Sequence, residues 1–460
     1  MSDLIEKTLN WLCQELSGGL SRAGDGRYAA ATAIWAKPAG PMPRAVAHCG
    51  TPEDVQAAIR AAHDSGLSLS VRGGGHDWAG RALCDGLVID LSGMNTVAVD
   101  ANNRTARISG GARASDVLAT TDPLGLAAVT GSCSGVGMAG LTLGGGYGPL
   151  IGRFGLALDN LLGAEVVLAD GRIVRTQPDI EEELFWALRG GGGNFGVVTA
   201  MRHQLHDLSR VCGGLLLFPF TEARGTLGRC AEITAFAPDE LTIQLGFFAG
   251  PDGSPVVFVA PTWCGIPNEG EARVAPFLKL GTLLAGGLNA ASFGASLAVF
   301  DTFNVNGQRT FMETCWLPSL DGHSIDILIE ATAKAVSPGC AIVTHEFKGA
   351  ASRVPVEATA FGFRRDHVLV EILATHVGHS DKFEEQRHQQ WTRATRHAFD
   401  AIALPGGYPN LLARSDAERA AESYGPNFAR LFKAKRRYDP ENVFRSAIPL
   451  SAHAAWGNAA

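Results

Sequence analysis

The side chains of this sequence best suited to chemistry stand beside glycine. The stretch Val71-Arg72-Gly73-Gly74-Gly75-His76-Asp77-Trp78 delivers an imidazole just past three residues without a Cβ. Such a run lets backbone N–H groups converge on an anion, and Arg72 adds fixed positive charge. A second run, Gly131-Ser132-Cys133-Ser134-Gly135-Val136-Gly137-Met138-Ala139-Gly140, carries a thiol and continues into Gly144-Gly145-Gly146-Tyr147-Gly148, which carries a phenol. The third run is Arg189-Gly190-Gly191-Gly192-Gly193-Asn194-Phe195-Gly196, followed by Val197. Far downstream, Tyr408-Pro409-Asn410-Leu411 offers another phenol. Imidazole, thiolate and phenolate can bond covalently to an electrophile or move a proton. The plainer reading makes His76 a polar loop residue, Cys133 a buried small side chain, and the tyrosines packing residues.

Several familiar chemistries are absent. GxGxxG occurs at 135–140 and 191–196. A dinucleotide fingerprint needs a helix directly behind it. After 140 such a helix meets Gly144-Gly145-Gly146 within a turn, and Val197-Val198-Thr199 favours a strand. There is no GxxxxGK[ST] and no GxSxG, and His345-Glu346 lacks the second histidine of HExxH. The nine cysteines are never closer than 18 positions, so no zinc or CxxC framework exists. An odd, scattered set fits thiols kept reduced in a cytoplasm. The net charge of −7 argues against nucleic acid as partner. No run of 18 apolar residues suggests a membrane span, and residues 1–16, with Asp3, Glu6, Lys7 and Glu15, do not resemble a secretory leader.

These groups need elements to position them. The 460 residues suffice for two or three domains. Residues 1–40 read as one or two helices and a loop ending at Pro38, Pro41 and Pro43. A strand at 46–49, a helix opened by Thr51-Pro52-Glu53-Asp54 and a strand at 67–71 form one strand–helix–strand unit. Strands follow at 86–91, 104–109, 164–168, 173–176 and 197–205, with a helix at 181–188. From about 209 the texture changes. Strands at 211–220, 241–248, 255–261, 340–347, 359–363 and 367–373, with helices between, suggest a sheet covered on one face. Helices at 383–399, 417–423 and 427–436 close the chain.

In order along residues 40–446, the three glycine runs, the Leu184–Thr199 segment around Phe-Trp-Ala-Leu-Arg, the Gly349-Ala350-Ala351-Ser352-Arg353-Val354-Pro355 stretch before Phe361, and Tyr438-Asp439-Pro440-Glu441-Asn442-Val443-Phe444 carry a resemblance. Together they resemble the flavin-linked oxidases of the vanillyl-alcohol-oxidase/p-cresol-methylhydroxylase superfamily, in the berberine-bridge-enzyme-like branch. The resemblance implies an α+β fold: a two-subdomain FAD-binding domain (1–208, core 40–208), a substrate domain with an antiparallel sheet covered by helices (209–410), and a C-terminal segment (411–460) returning to the flavin domain. It implies covalent FAD, bonded at 8α by His76 and at C6 by Cys133, although Ser134 stands where the branch usually has proline. It also implies FAD contacts from Arg72, Gly73, Gly74 and Gly75; from Gly131, Ser132, Gly137 and Gly140; from Gly145, Gly146, Tyr147 and Gly148; and from Gly196, Val197 and Asn442. Val136 falls where oxygen approaches.

Related enzymes take a tyrosine of a Tyr-x-Asn-Tyr pattern as catalytic base. Tyr408 is the candidate here, with Tyr147 in reserve, because Leu411 replaces the second tyrosine. Arg364, Glu346, Lys348 and Glu371 are candidate substrate contacts on predicted strands. The expected enzyme is a cytoplasmic FAD oxidase, a monomer or homodimer without metal. It would pass hydride from an alcohol or hemiacetal of a sugar or glycosylated metabolite to flavin, and electrons on to O2. The alternatives are an amine oxidase on a small N-heterocycle, which Cys133 disfavours because hydroxynicotine oxidases hold FAD through histidine alone, a nicotinamide-dependent dehydrogenase, and a flavin-binding protein without turnover.

Overall fold

The computed structural model describes residues 2–37, 40, 42–376 and 381–450. Pro38, Pro41 and the last ten residues of the expected C-terminal segment lie outside them. The first sheet has four strands in the order Leu20–Ser21, Ala45–His48, Leu87–Asp90, Leu69–Arg72. The last three run parallel. Parallel neighbours require a crossover, and helix Pro52–Ser65 supplies one. The Thr51 hydroxyl and the Asp54 carboxylate form a capping box at its start, and Gly66, at φ 67°, ends it in the left-handed region.

The second sheet is antiparallel: Val97–Asp100, Thr105–Ser109, Val197–Gln204, Leu161–Val167, Ile173–Thr176. The third, of nine strands, is also antiparallel, with Leu241–Ala249, Cys340–Phe347, His367–His376 and Arg309–Leu317 adjacent in that order. Helices Ala223–Thr234, Gly322–Ala333 and Lys382–Ala398 cover one face, where Leu227, Leu328 and Trp391 join the buried sheet residues. The opposite face is left to line a cavity. Helices mixed with one largely parallel and two larger antiparallel sheets are thus the architecture, an α+β fold as the sequence implies.

The chain then returns to its beginning. Helix Phe428–Tyr438 packs on helix Glu182–Leu188, with Arg430 paired to Glu183. The buried Lys435 ammonium donates to the Asn194 carbonyl in the third glycine run.

Two local expectations fail. Residues 359–363 are not a strand; Ala360 and Phe361 bond singly to the carbonyls of Trp186 and Arg189 as the segment crosses between sheets. And a helix does follow the 135–140 glycines: Met138–Gly144. Burial of Met138, Thr142 and Leu143 compensates its poor propensity. It stops at Gly145, whose φ of 147° suits glycine.

Candidate active site

The three glycine runs meet. A Cβ on Gly74 would lie 2.4 Å from the Cα of Gly137, so runs one and two touch backbone to backbone. Gly190 and Gly192 both donate to the Leu143 carbonyl, at 2.9 Å each, which joins run three. On the other side, Gly140 and Gly193 have nothing within 4 Å of where a Cβ would be. That open side is the floor of a cavity of about 610 Å³, within the usual range of cofactor and ligand sites. Gly73, Gly131, Ser132, Gly196 and Val197 also line it, and so does Val136.

His76 and Cys133 face each other across the floor, with Cys133 Sγ 4.0 Å from His76 Nε2. Strand Leu69–Arg72 delivers the histidine, and Trp35 stacks on its ring at 4.9 Å. Burial pushes the imidazole down to about 4, so at neutral pH it is an uncharged nucleophile. Burial pushes the Cys133 thiol up to about 12, and the charges of Asp301 and Glu371 add to this. A cradle of Cβ-free backbone, a cavity of cofactor size and two nucleophiles side by side fit a flavin: its 8α-methyl and C6 positions lie close together on one ring.

The remaining groups stand around this pair. The Tyr408 oxygen accepts hydrogen bonds from the Gly146 N–H (2.9 Å) and from Asn410 Nδ2 (3.0 Å). Burial nevertheless outweighs these donors and pushes its phenol up to about 12. Tyr147 is committed elsewhere. His367 Nδ1 lies 2.7 Å from the Arg365 carbonyl and must donate to it, so Nε2 is the acceptor and Tyr147 O–H donates to it at 2.7 Å. Glu371, on strand His367–His376, has Oε1 3.0 Å from His345 Nε2. Its charge opposes ionisation of both Cys133 and Tyr408, so it reaches the reactive end of the cavity. The rest of that wall is mainly apolar, with Leu215, Phe248, Phe258, Phe300, Phe303 and Met312, and carries Gln244, Asn304, Gln308 and Thr375 as its polar members.

Several expected contacts are absent from the cavity. Arg72 is buried and donates to Asp90 at 2.8 Å, so its charge is neutralised there. Asn442 is an exposed turn residue at φ 53°; Phe444, Ser446, Ala447 and Ile448 line the cavity instead. Gly75 only accepts the Trp35 N–H. Gly145, Gly146 and Gly148 pack behind the floor, against Tyr408, Ala157 and Thr130. Of the four strand candidates only Glu371 lines the cavity. Arg364 pairs with Asp159 at 2.8 Å, and Lys348 with Glu346 at 3.2 Å. Sequence reasoning assigned no role to Asn410, His345 or the phenylalanines. Only Asn410 had a legible signal, its spacing of two from Tyr408.

Family models describe residues 43–177 as an FAD binding domain and 405–449 as "berberine and berberine like". The chain is 31% identical to (R)-6-hydroxynicotine oxidase of Paenarthrobacter nicotinovorans over 94% of its length and 96% of that protein. It belongs to the berberine-bridge-enzyme-like family. The protein is therefore an FAD-linked oxidoreductase. This berberine-bridge-like chain also matches the crystal structure of 6-hydroxy-D-nicotine oxidase from Arthrobacter nicotinovorans at a TM-score of 0.85 and 29% identity, covering 95% of this chain and 98% of that one. Glucooligosaccharide oxidase from Acremonium strictum, which carries a 6-S-cysteinyl, 8α-N1-histidyl FAD, shares the fold at 0.82 and 23% identity, covering 97% and 100%. Among the described residues of this family member no helix is long and apolar enough to cross a membrane, and no cluster of three or more His, Cys, Asp or Glu could hold a metal.

Proposed function

We propose that this protein is an oxidase of a small amine with an apolar, aromatic body, using FAD attached through His76 and Cys133 and O2 as electron acceptor. When bound, the flavin would accept the hydride and pass its electrons to oxygen. The chain's residues would do the rest. His76 and Cys133 supply the two attachment atoms. The phenylalanine wall holds the substrate body and excludes water. Glu371, with Oε1 bonded to His345, offers Oε2 to the substrate N–H and can take its proton.

The observation that carries this reading is the cavity wall around Glu371, where Leu215, Phe248, Phe258, Phe300, Phe303 and Met312 stand beside a few polar side chains, Gln244, Asn304, Gln308, His345 and Thr375. A sugar would set several hydroxyls against Phe248, Phe258 and Phe303, and each unmatched hydroxyl costs about 1–3 kcal/mol. An alcohol substrate would further require Tyr408, whose phenol is pushed up to about 12 and so holds its own proton at neutral pH, to accept the substrate's O–H proton. A neutral amine can release hydride from its α-carbon without that proton transfer. Cys133 bears on how the flavin is held, the wall on what is oxidised, and the two are independent.

The test is peroxide release from a panel of cyclic aromatic amines, aromatic alcohols and oligosaccharides. Amines should turn over, and Glu371→Gln should raise their KM by about tenfold or more, the size of one charge-assisted contact, with bound flavin unchanged. Turnover of oligosaccharides alone would overturn the reading.

A further inference from the structure

The loop carrying Cys133 is gripped from the far side of the cavity. Its carbonyl side rests on the flavin-binding half: Ala114 N–H donates to Val136 O and Ser115 N–H to Ser134 O, both at 2.9 Å. Its other side is held by Ser134, the residue next to the cysteine. The Ser134 N–H donates to Asp301 Oδ1 at 2.9 Å and the Ser134 hydroxyl to Asp301 Oδ2 at 2.5 Å, across 167 residues of sequence. A carboxylate thus takes both donors of one residue.

Asp301 is badly placed in two other respects. It is the last residue of helix Phe293–Asp301, where a negative charge opposes the helix dipole. Its charge also raises the Cys133 thiol. What it gains is Ser134. The helix cannot drift, because Gly294 N–H at its other end donates to Asp122 Oδ2 at 3.0 Å. Without the grip, a loop with glycines at 131, 135 and 137 has little stiffness of its own. Misplacement by an ångström is enough to slow a bond-forming step severely.

We propose that Asp301 is the positioning residue that holds Cys133 against the flavin for thioether formation, an inference resting on the reading that Cys133 is attached. Attachment exchanges the thiol S–H and one flavin C6–H for a C–S bond. The two electrons and accompanying protons pass by way of the flavin ring to O2, giving H2O2.

The test reads the sulfur rather than turnover. Holoprotein is denatured and alkylated with iodoacetamide, and the Cys133 and His76 peptides are weighed. In wild type Cys133 should resist alkylation. In Asp301→Ala it should become alkylatable in most chains while flavin stays on the His76 peptide. Asp301→Asn can still accept the Ser134 N–H and donate to its hydroxyl, so it should keep the thioether although the charge is gone. Should Asp301→Ala not fold, Ser134→Ala removes the hydroxyl half of the grip and should free Cys133 in part. Cys133 blocked in Asp301→Ala or in Ser134→Ala as in wild type would overturn the inference and leave attachment standing. Loss of the thioether in Asp301→Asn would show that charge, not position, matters. Alkylation of Cys133 in wild type would remove both.

Discussion

Cys133 Sγ and His76 Nε2 lie 4.0 Å apart although 57 residues separate them in sequence. Each sits on its own glycine run, and the Gly74–Gly137 backbone contact brings the runs together. Two nucleophiles at that spacing should hold one flavin twice. FAD is therefore expected to stay with the chain after acid precipitation. His76→Ala and Cys133→Ala should each retain flavin through the other residue. Free FAD released from denatured wild type would refute the attachment.

Tyr408 separates the substrate classes. If an O–H proton must be removed, Tyr408→Phe should slow anaerobic flavin reduction by about 10²–10⁴. For an amine the loss should stay below about tenfold, because the phenol, pushed up to about 12, is a poor base. The phenylalanine keeps ring packing against Tyr147, 4.6 Å away. Stopped-flow reduction with the substrate found in the panel decides it.

Oxygen should reach the flavin beside Val136, which is half-buried and lines the cavity. Val136→Ile adds one methylene, a small change for stability but a large one for a gas-sized gap. Reoxidation of reduced enzyme should slow, with substrate reduction unchanged. Equal reoxidation rates would remove Val136 from the oxygen route.

Stability should fall on the acid side. Burial pushes His203 and His206 down to about 4 and His367 to about 3. In the unfolded chain they titrate near their ordinary value of about 6.5. Between about pH 6.5 and 3 the unfolded state binds protons that these native histidines refuse, so stability drops as pH falls through that window. The thermal midpoint measured against pH should show this slope, and His203→Gln should flatten it. A midpoint constant from pH 7 to 4 would contradict the burial.

The sequence made much of this legible and hid the rest for physical reasons. Helix Pro52–Ser65 announces itself through its cap, and strand Val197–Gln204 through β-branched residues, since both signals are local. Helix Met138–Gly144 was hidden because its stability comes from what it packs against. Arg72 looked like an anion ligand because its partner, Asp90, sits 18 residues away on the neighbouring strand. Glu371 among the four charged candidates, and the phenylalanine wall, depend on which face of a nine-stranded sheet the register turns inward. Asp301 depends on a contact across the whole cavity. Pattern in one dimension carries none of these.

The two halves of the cavity differ in what they are made of. The floor is largely main chain, presented by glycines whose neighbours leave no room for a side chain at Gly74, Gly137 or Gly196. The roof is side chains on sheet strands and one short helix. A point mutation on the roof changes shape and polarity directly, whereas one on the floor that replaces a packed glycine breaks the backbone. Heritable variation is thereby channelled: the chain can try new substrates while its cofactor seat stays fixed. Directed evolution confined to positions 215, 244, 248, 258 and 312, away from Asp301, would explore specificity with little risk to the cofactor seat.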